Sequence, residues 1–352
     1  LLTAAGDLDD DAAPAGGPDI SRDRVLEMTI VGNPIMHHVI LGIDPTPLGQ
    51  APFLLATDSA VTVRATDLGI DAQFASVYLL PCIAGHVGAD TAAAILAEGP
   101  HRSSELQLLV DVGTNAEIVF GNDDHVLAAS SPTGPAFEGA QLSAGMRATA
   151  GAIERVRSDR ATLEPTIKVI GADAWSDDPL FTMQTMPLDI AGICGSGIIE
   201  VMGELFLAGV IDVDGTIRSD AAERSDRVFA DGRTFSYRLF GDADDDPASW
   251  ISVTQDDVRA IQLAKAALRA GIDLLCEHAE HHDASTIASV RLAGAFGAHI
   301  DPLYAKVLGL VPDVPVDRVR AVGNAAGAGA VRALVSAAQR REIEATARRV
   351  DK

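Results

Sequence analysis

Leu108 to Ile118 reads LLVDVGTNAEI, an apolar run that ends on an acid, turns at a glycine with a hydroxyl and an amide beside it, and resumes as a second apolar run. Two short strands joined this way form a hairpin. Its turn suits phosphate: Gly113 lets backbone N–H groups face a ligand at close range, and Thr114 and Asn115 add side-chain donors. Asp111, at the end of the first strand, offers carboxylate oxygen to a magnesium ion or its waters. The same letters also describe a tight hairpin between two core strands, the commoner meaning of an isolated DxGT. The surrounding sequence shifts that balance.

Upstream, GHVGADTAAAILAEG (Gly85 to Gly99) predicts a glycine-containing entry into an alanine-rich helix that a second helix can approach closely. Phe74 to Leu80 and Val25 to Val31 read as strands. Asn33 before Pro34 is an N-cap with proline in the first turn, so Ile35 to Leu41 should be helical. Adjacent residues on a helix point to different faces, so of His37 and His38 one is expected packed and one exposed, ahead of a shared metal. Thr3 to Ser21, rich in Asp, Ala, Gly and Pro, reads as a mobile loop, with order beginning near Arg24.

Downstream, Val126 to Ser130 predicts a third strand, and three strands in succession suggest an antiparallel start to a mixed sheet. SPTGPAFEGAQLSAG (Ser131 to Gly145) is turn-rich and leads to a short helix. In IAGICGSGII (Ile190 to Ile199), Gly195, Ser196 and Gly197 open an apolar helical pattern; an anion or ribose site and plain helix packing explain them equally. Asp256 to Glu280 is periodic through Val258, Ile261, Ala264, Leu268, Ile272 and Leu275, the strongest helical pattern. On it Lys265 and Arg269 sit one turn apart, able to clamp a nucleotide or simply to face solvent. Val290 to Ala293 runs into GAFGAHID and Arg318 to Val322 into GNAAGAGAVRAL, each a strand, glycine turn and helix. Asn324 should cap the second helix. The basic tail from Arg340 reads as a fraying amphipathic helix.

With 352 residues, 47% of them hydrophobic, the chain can bury one large core or two linked ones. Fifty acidic against 27 basic residues give a net charge of -23, which repels nucleic acid and disfavours an anionic membrane surface. Cys82, Cys194 and Cys276 are widely spaced with no CxxC pair, so neither a disulfide framework nor a cysteine-ligated cluster is indicated, and a cytoplasmic setting fits. No run reaches membrane-spanning length and no signal peptide is evident. The chain opens on Leu1 rather than Met, which points to a piece of a longer protein.

The order of these parts (alanine-rich helix, DVGTN, a Gly-Glu segment, LAGAFG, then the small-residue helix GNAAGAGA) resembles the actin, sugar-kinase and heat-shock ATPase (ASKHA) superfamily. That resemblance implies an α/β, ribonuclease H-like, actin-like ATPase fold, with mixed sheets flanked by helices and an incomplete first lobe. Residues 1–104 would be what remains of that lobe with its connecting helix (1–22 the mobile loop), 105–336 the second lobe with the returning helix, and 337–352 a helical tail. It makes Asp111 to Asn115 the second phosphate loop and Gly294 to Gly297 the part facing adenosine.

Six strings in order, EMTIVGNPIMHHVILGIDP, DVGTNAEIVFGN, GPAFEGAQLSAGMRATAGAIE, GICGSGII, QLAKAALRAGI and LAGAFGAHID, resemble the C-terminal domain of the ferredoxin-fused reductive activators of corrinoid proteins. In that family ATP, with magnesium, drives the return of an oxidised Co(II) corrinoid to Co(I) within a methyl-transfer system. The electron enters through an N-terminal domain with a two-iron, two-sulfur cluster. No cysteine quartet and no first phosphate hairpin are present, so both are expected in a missing N-terminal portion, and this chain should be redox-inert with little ATPase activity alone. The implied site is Asp111 (catalytic and metal-binding), Glu138 (catalytic), and Gly113, Thr114, Asn115, Gly195, Ser196, Gly197, Lys265, Gly294, Ala295, Gly297, Gly323 and Asn324 around the cofactor. The implied partner is a corrinoid protein, and a homodimer stays open. Two other readings remain: a small-molecule kinase with Glu138 or Asp111 as its acid, and a non-catalytic docking module with structural glycine loops.

Overall fold

The computed structural model describes residues 22–280, 283–294 and 297–352; the predicted mobile loop falls almost entirely outside them. A small layer comes first. Strand β1 (Glu27–Ile30) leads to α1 (Pro34–Ile40), which Asn33 caps by accepting the Met36 N–H. Strands β2 (Val61–Arg64) and β3 (Ser76–Leu79) follow, in the order β1-β3-β2. The connecting helix α2 (Ala89–Glu98) is buried along nearly its whole length and stops at Gly99, whose φ of 68° is the left-handed conformation that ends helices.

The central sheet is built from β4 (Gln107–Val112), β5 (Ala116–Gly121) and β6 (Val126–Ser131), an antiparallel meander as the sequence predicts. An insertion then adds β7 (Ala152–Ser158), β8 (Pro165–Val169), α3 (Phe181–Thr185), β9 (Gly192–Ile193) and α4 (Gly195–Leu207). The meander β10 (Val228–Asp231), β11 (Thr234–Phe240) and β12 (Ile251–Val253) leads into α5 (Gln255–His278), whose start is locked by a reciprocal Thr254–Asp257 capping box. Last come β13 (Ser289–Ala293), α6 (Pro302–Val307), β14 (Val319–Gly323), α7 (Ala325–Val335) and α8 (Ala337–Ala347).

Strands β14 and β13 join β4 in parallel, giving the mixed order β14-β13-β4-β5-β6. Both faces of this sheet are covered, so β4 is apolar at successive positions instead of alternating. Leu108, Val110 and Val112 enter the large core with α4 and α5, while Leu109 enters a second core with α2 and α8. Truncating any of these to Ala should cost ~2–5 kcal/mol. Helices α2 and α7 cross in direct backbone contact: a Cβ on Gly329 would stand 1.8 Å from the Ala93 carbonyl oxygen. The small residues serve that crossing.

Three expectations change. His37 and His38 are both buried, because the chain after α1 folds back over it: His38 Nε2 accepts the Ala56 N–H at 3.0 Å and its Nδ1 is 2.8 Å from the Pro34 carbonyl. Burial, with His38 alongside, lowers the pKa of His37. The segment after β6 makes only a 3₁₀ turn, Pro135–Glu138, ended by Gly139. The tail does not fray. Ile343, Thr346 and Ala347 are buried, Arg340 lies 4.4 Å over the Tyr78 ring and 2.6 Å from Glu27, and the Tyr78 hydroxyl donates to Glu344 at 2.8 Å. Beyond α8, Asp351 pairs with β6, donating to the Val126 oxygen and accepting the Ala128 N–H, both at 2.9 Å. The tail therefore straps the small layer to the edge of the central sheet.

Candidate functional site

Three parallel strands, β4, β13 and β14, end at the same edge, where open α/β sheets place ligands. Asp111 stands beside Ala293 and directly across from Glu117 in register. The next residue of β13's chain is Gly294, with φ +96°; a Cβ there would stand 2.6 Å from Asp111 Oδ1 and 2.6 Å from the Val112 oxygen. Only glycine fits that approach. Its N–H donates to the Gly323 carbonyl at 3.1 Å, and Asn324 Oδ1 caps α7 by accepting the Gly327 N–H at 2.7 Å. Two loops and the hairpin thus converge through backbone contacts.

The hairpin turn is braced from below. Thr133 Oγ1 lies 3.0 Å from the Gly113 oxygen and 3.2 Å from that of Thr114, and Thr114 Oγ1 donates to Glu138 Oε1 at 3.0 Å. Glu138 thereby joins Asp111, Gly113, Thr114 and Asn115 at one place. Inside this frame the acids are uncompensated. Burial, then the nearby Asp90 carboxylate, pushes Asp111 up to about 6. Burial, then Asp90 and Asp111, pushes Glu117 up to about 8, against a 3.3 Å hydrogen bond from Ser130. Asp90, in the first turn of α2, is itself raised by burial. The strongest charges acting on Asp111 and Glu117 are other carboxylates, an arrangement that protonation or a cation would relieve.

Asp90 and Glu117 are the site groups that sequence reasoning missed. Glu117 was readable, since a hairpin that turns at Gly113–Asn115 sets it opposite Asp111. Asp90 gave no signal, because an acid in a first helical turn usually serves the helix dipole.

Other predicted residues lie elsewhere. Gly195, Ser196 and Gly197 are buried at the start of α4, where Ser196 Oγ donates to the Glu154 oxygen at 3.0 Å and a Cβ on Gly197 would meet the Ile153 oxygen at 2.4 Å. These contacts pack the helix on β7, and Ser196 also lines, with Arg155, Lys168 and Asp301, a cleft of about 450 Å³. Lys265 lines an apolar slot with Met202, Phe206 and Leu308, and Arg269 turns to Asp273 at 2.8 Å. Gly297 begins a 3₁₀ turn against Leu292. Ala295 lies outside the described residues.

Residues 105–352 match the family model described as the C-terminal domain of RACo, the ASKHA domain. Residues 15–103 match the RACo middle region. The chain belongs to the RACo family. Its fold is the ASKHA fold that the sequence resemblance implies. It is 38% identical over 324 residues to "Corrinoid activation enzyme RamQ" of Eubacterium limosum, covering 90% of this chain and 51% of that protein. It is 24% identical over 314 residues to "[Co(II) methylated amine-specific corrinoid protein] reductase" of Methanosarcina barkeri, covering 84% and 53% respectively. Among solved structures, "Reductive activator for corrinoid,iron-sulfur protein" superposes with a TM-score of 0.81 at 30% identity, over 94% of this chain and 50% of that one. The RACo-type chain therefore spans about half the length of the relatives it matches. No helix among its described residues is long and apolar enough to cross a membrane.

Proposed function

We propose that this chain is the nucleotide-binding part of a reductive activator that returns Co(II) corrinoid proteins to Co(I), with Mg·ATP held at the edge formed by β4, β13 and β14. The observation that carries it is the cluster of buried acids Asp90, Asp111 and Glu117, each raised first by burial, beneath a glycine-lined approach. The donors fit the ion: carboxylate and hydroxyl oxygens suit a hard cation. Among the described residues no three His, Cys, Asp or Glu side chains could hold one metal together, so phosphate oxygens and water would complete a shell begun at Asp111. When bound, the nucleotide supplies the free energy that an unfavourable cobalt reduction needs. The chain's own residues bind and orient: Gly113 and Gly294 admit phosphate to backbone N–H groups, Asn115 donates, and Glu138 holds the Thr114 hydroxyl, which fixes the turn.

Coupling to reduction requires only that nucleotide shift the activator between states of different affinity for its partner. In this reading residues 1–104 contribute the remaining first lobe, 105–336 the second, and 337–352 the strap. An iron–sulfur cluster does not fit this chain, whose three cysteines lie on separate elements with Cys82 and Cys194 buried; no step is routed through one here. The test is a calorimetric titration with magnesium and a non-hydrolysable ATP analogue, run beside Asp111→Ala. Binding that the substitution weakens supports the reading. An Asp111→Ala chain that binds as tightly as wild type refutes it.

A further inference from the structure

A second acid is buried in the insertion, and it is fully answered. Glu200 on α4 is 0% exposed. Its Oε1 accepts from Arg155 Nε at 2.5 Å, and its Oε2 accepts from Arg157 Nη1 at 2.6 Å and from the Val156 N–H at 2.8 Å. The two arginines are two residues apart on β7, so they share one face of the strand.

Both guanidinium groups have nitrogens left over, and these reach Asp301: Arg155 Nη2 at 3.3 Å and Arg157 Nη2 at 3.5 Å. Asp301 is where the chain leaving β13 enters α6, its Oδ1 capping the helix by accepting the Leu303 N–H at 2.9 Å. Helix α6 is seated on α4. The Tyr304 hydroxyl donates to Glu204, Arg157 lies 5.1 Å over the Tyr304 ring, and a Cβ on Gly203 would stand 2.4 Å from Tyr304 Cδ1. The chain that starts at Gly294 against Asp111 therefore finishes at Asp301 against two arginines.

The two ends of this ionic bridge differ. The bonds to Glu200 are short and buried, which fixes the arginines, whereas those to Asp301 are longer and partly open to water, which lets that end adjust. We propose that Arg155, Arg157 and Glu200 are positioning residues that set Asp301, and with it the start of α6, for nucleotide binding at the Asp111 edge and carry the resulting movement into β7 and α4. The proposal rests on the nucleotide reading of the Asp111 edge. The insertion then senses, through Asp301, whether that edge is occupied.

The test is Asp301→Asn, because Asn caps a helix as well as Asp and keeps the side-chain shape while removing the charge. Wild-type and variant chains are titrated with magnesium and a non-hydrolysable ATP analogue, and amide hydrogen exchange is followed across residues 152–157 and 195–200. The variant is expected to bind about tenfold more weakly, within the usual range of coupling energies, and to lose the nucleotide-induced protection in both segments, with its unfolding midpoint unchanged. A purely structural role would move the midpoint and leave affinity alone. A variant that binds like wild type, or keeps the protection, overturns the proposal while the nucleotide reading stands. A wild-type chain that does not bind the analogue overturns both.

Discussion

At the hairpin, burial raises Asp90, Asp111 and Glu117, with Asp90 adding to the shift of Asp111 and both adding to that of Glu117, whereas Glu200 in the insertion sits between two guanidinium groups and a backbone N–H. Burial acts on both places in the same direction. It drives Glu200 upward too, against the Val156 N–H and the arginines. What separates them is who supplies the counter-charge. The insertion carries its own; at the hairpin the charges named as acting on Asp111 and Glu117 are carboxylates.

The comparison breaks first at Glu200. Glu200→Ala leaves two guanidinium groups facing each other over a buried gap, and should cost about 3–5 kcal/mol, read as a lower urea midpoint at constant slope. A near-neutral result would mean that the arginines simply turn to water and that the insertion is not self-contained.

At the hairpin the effect should fall on binding instead. Asp111→Asn is expected to weaken Mg·nucleotide binding about 100-fold, equivalent to ~2.7 kcal/mol, with little loss of stability. Equal effects on stability and on binding would erase the distinction between the two regions.

Glu117 sharpens the comparison through pH. A carboxyl whose folded pKa lies above its unfolded value takes up a proton on folding. Its stabilising contribution is therefore present in full below pH 4.5 and is lost as pH rises through about 8. A cation held at Asp111 would favour the ionised Glu117 carboxylate, so affinity should rise between pH 6 and 8 and calorimetry at pH 7 should detect proton release. Glu117→Gln should flatten both and raise the unfolding temperature at pH 8 but not at pH 4. Proton release that persists in the variant would move the titrating group elsewhere.

The smallest effect belongs to an exposed pair. His125 Nε2 and Asp351 Oδ2 lie 2.5 Å apart with side chains 48% and 60% exposed, so Asp351→Ala should change stability by only ~0.5 kcal/mol. A loss several times larger would show that the pair does more than a solvated contact can.

Much of this was readable in the letters. The run LLVDV, apolar at every position but one, announces a strand covered on both faces, and GNAAGAGA announces a helix approached by another. Asn324 and Asn33 cap where a short polar side chain before a helix should. Strand β7 was not readable, because AIERVRS carries charges that are stable there only through Glu200, 43 residues downstream of Arg157. His37 and His38 misled for a similar reason: helical spacing sets their directions, but the fold-back at Ala56 covers both. Around the candidate site, the turns at Gly113, Gly294 and Gly323 and the cap at Asn324 were legible from turn chemistry, whereas the approach of Asp90 depends on the tertiary placement of α2. The tail's packing depends on Tyr78, Glu27 and β6, none of them near it in sequence.

That strap has a kinetic consequence. The partner of β6 stands 226 residues beyond His125, so this contact cannot form until Asp351 has been made. At roughly 5–20 residues per second of synthesis, the Val126 carbonyl and the Ala128 N–H wait on the order of ten seconds or more for their partner, open meanwhile to any extended segment they meet. Contacts of such long sequence separation also slow folding. Refolding of the chain should therefore show a late phase in which the amides of Ala128 and Asp351 become protected together.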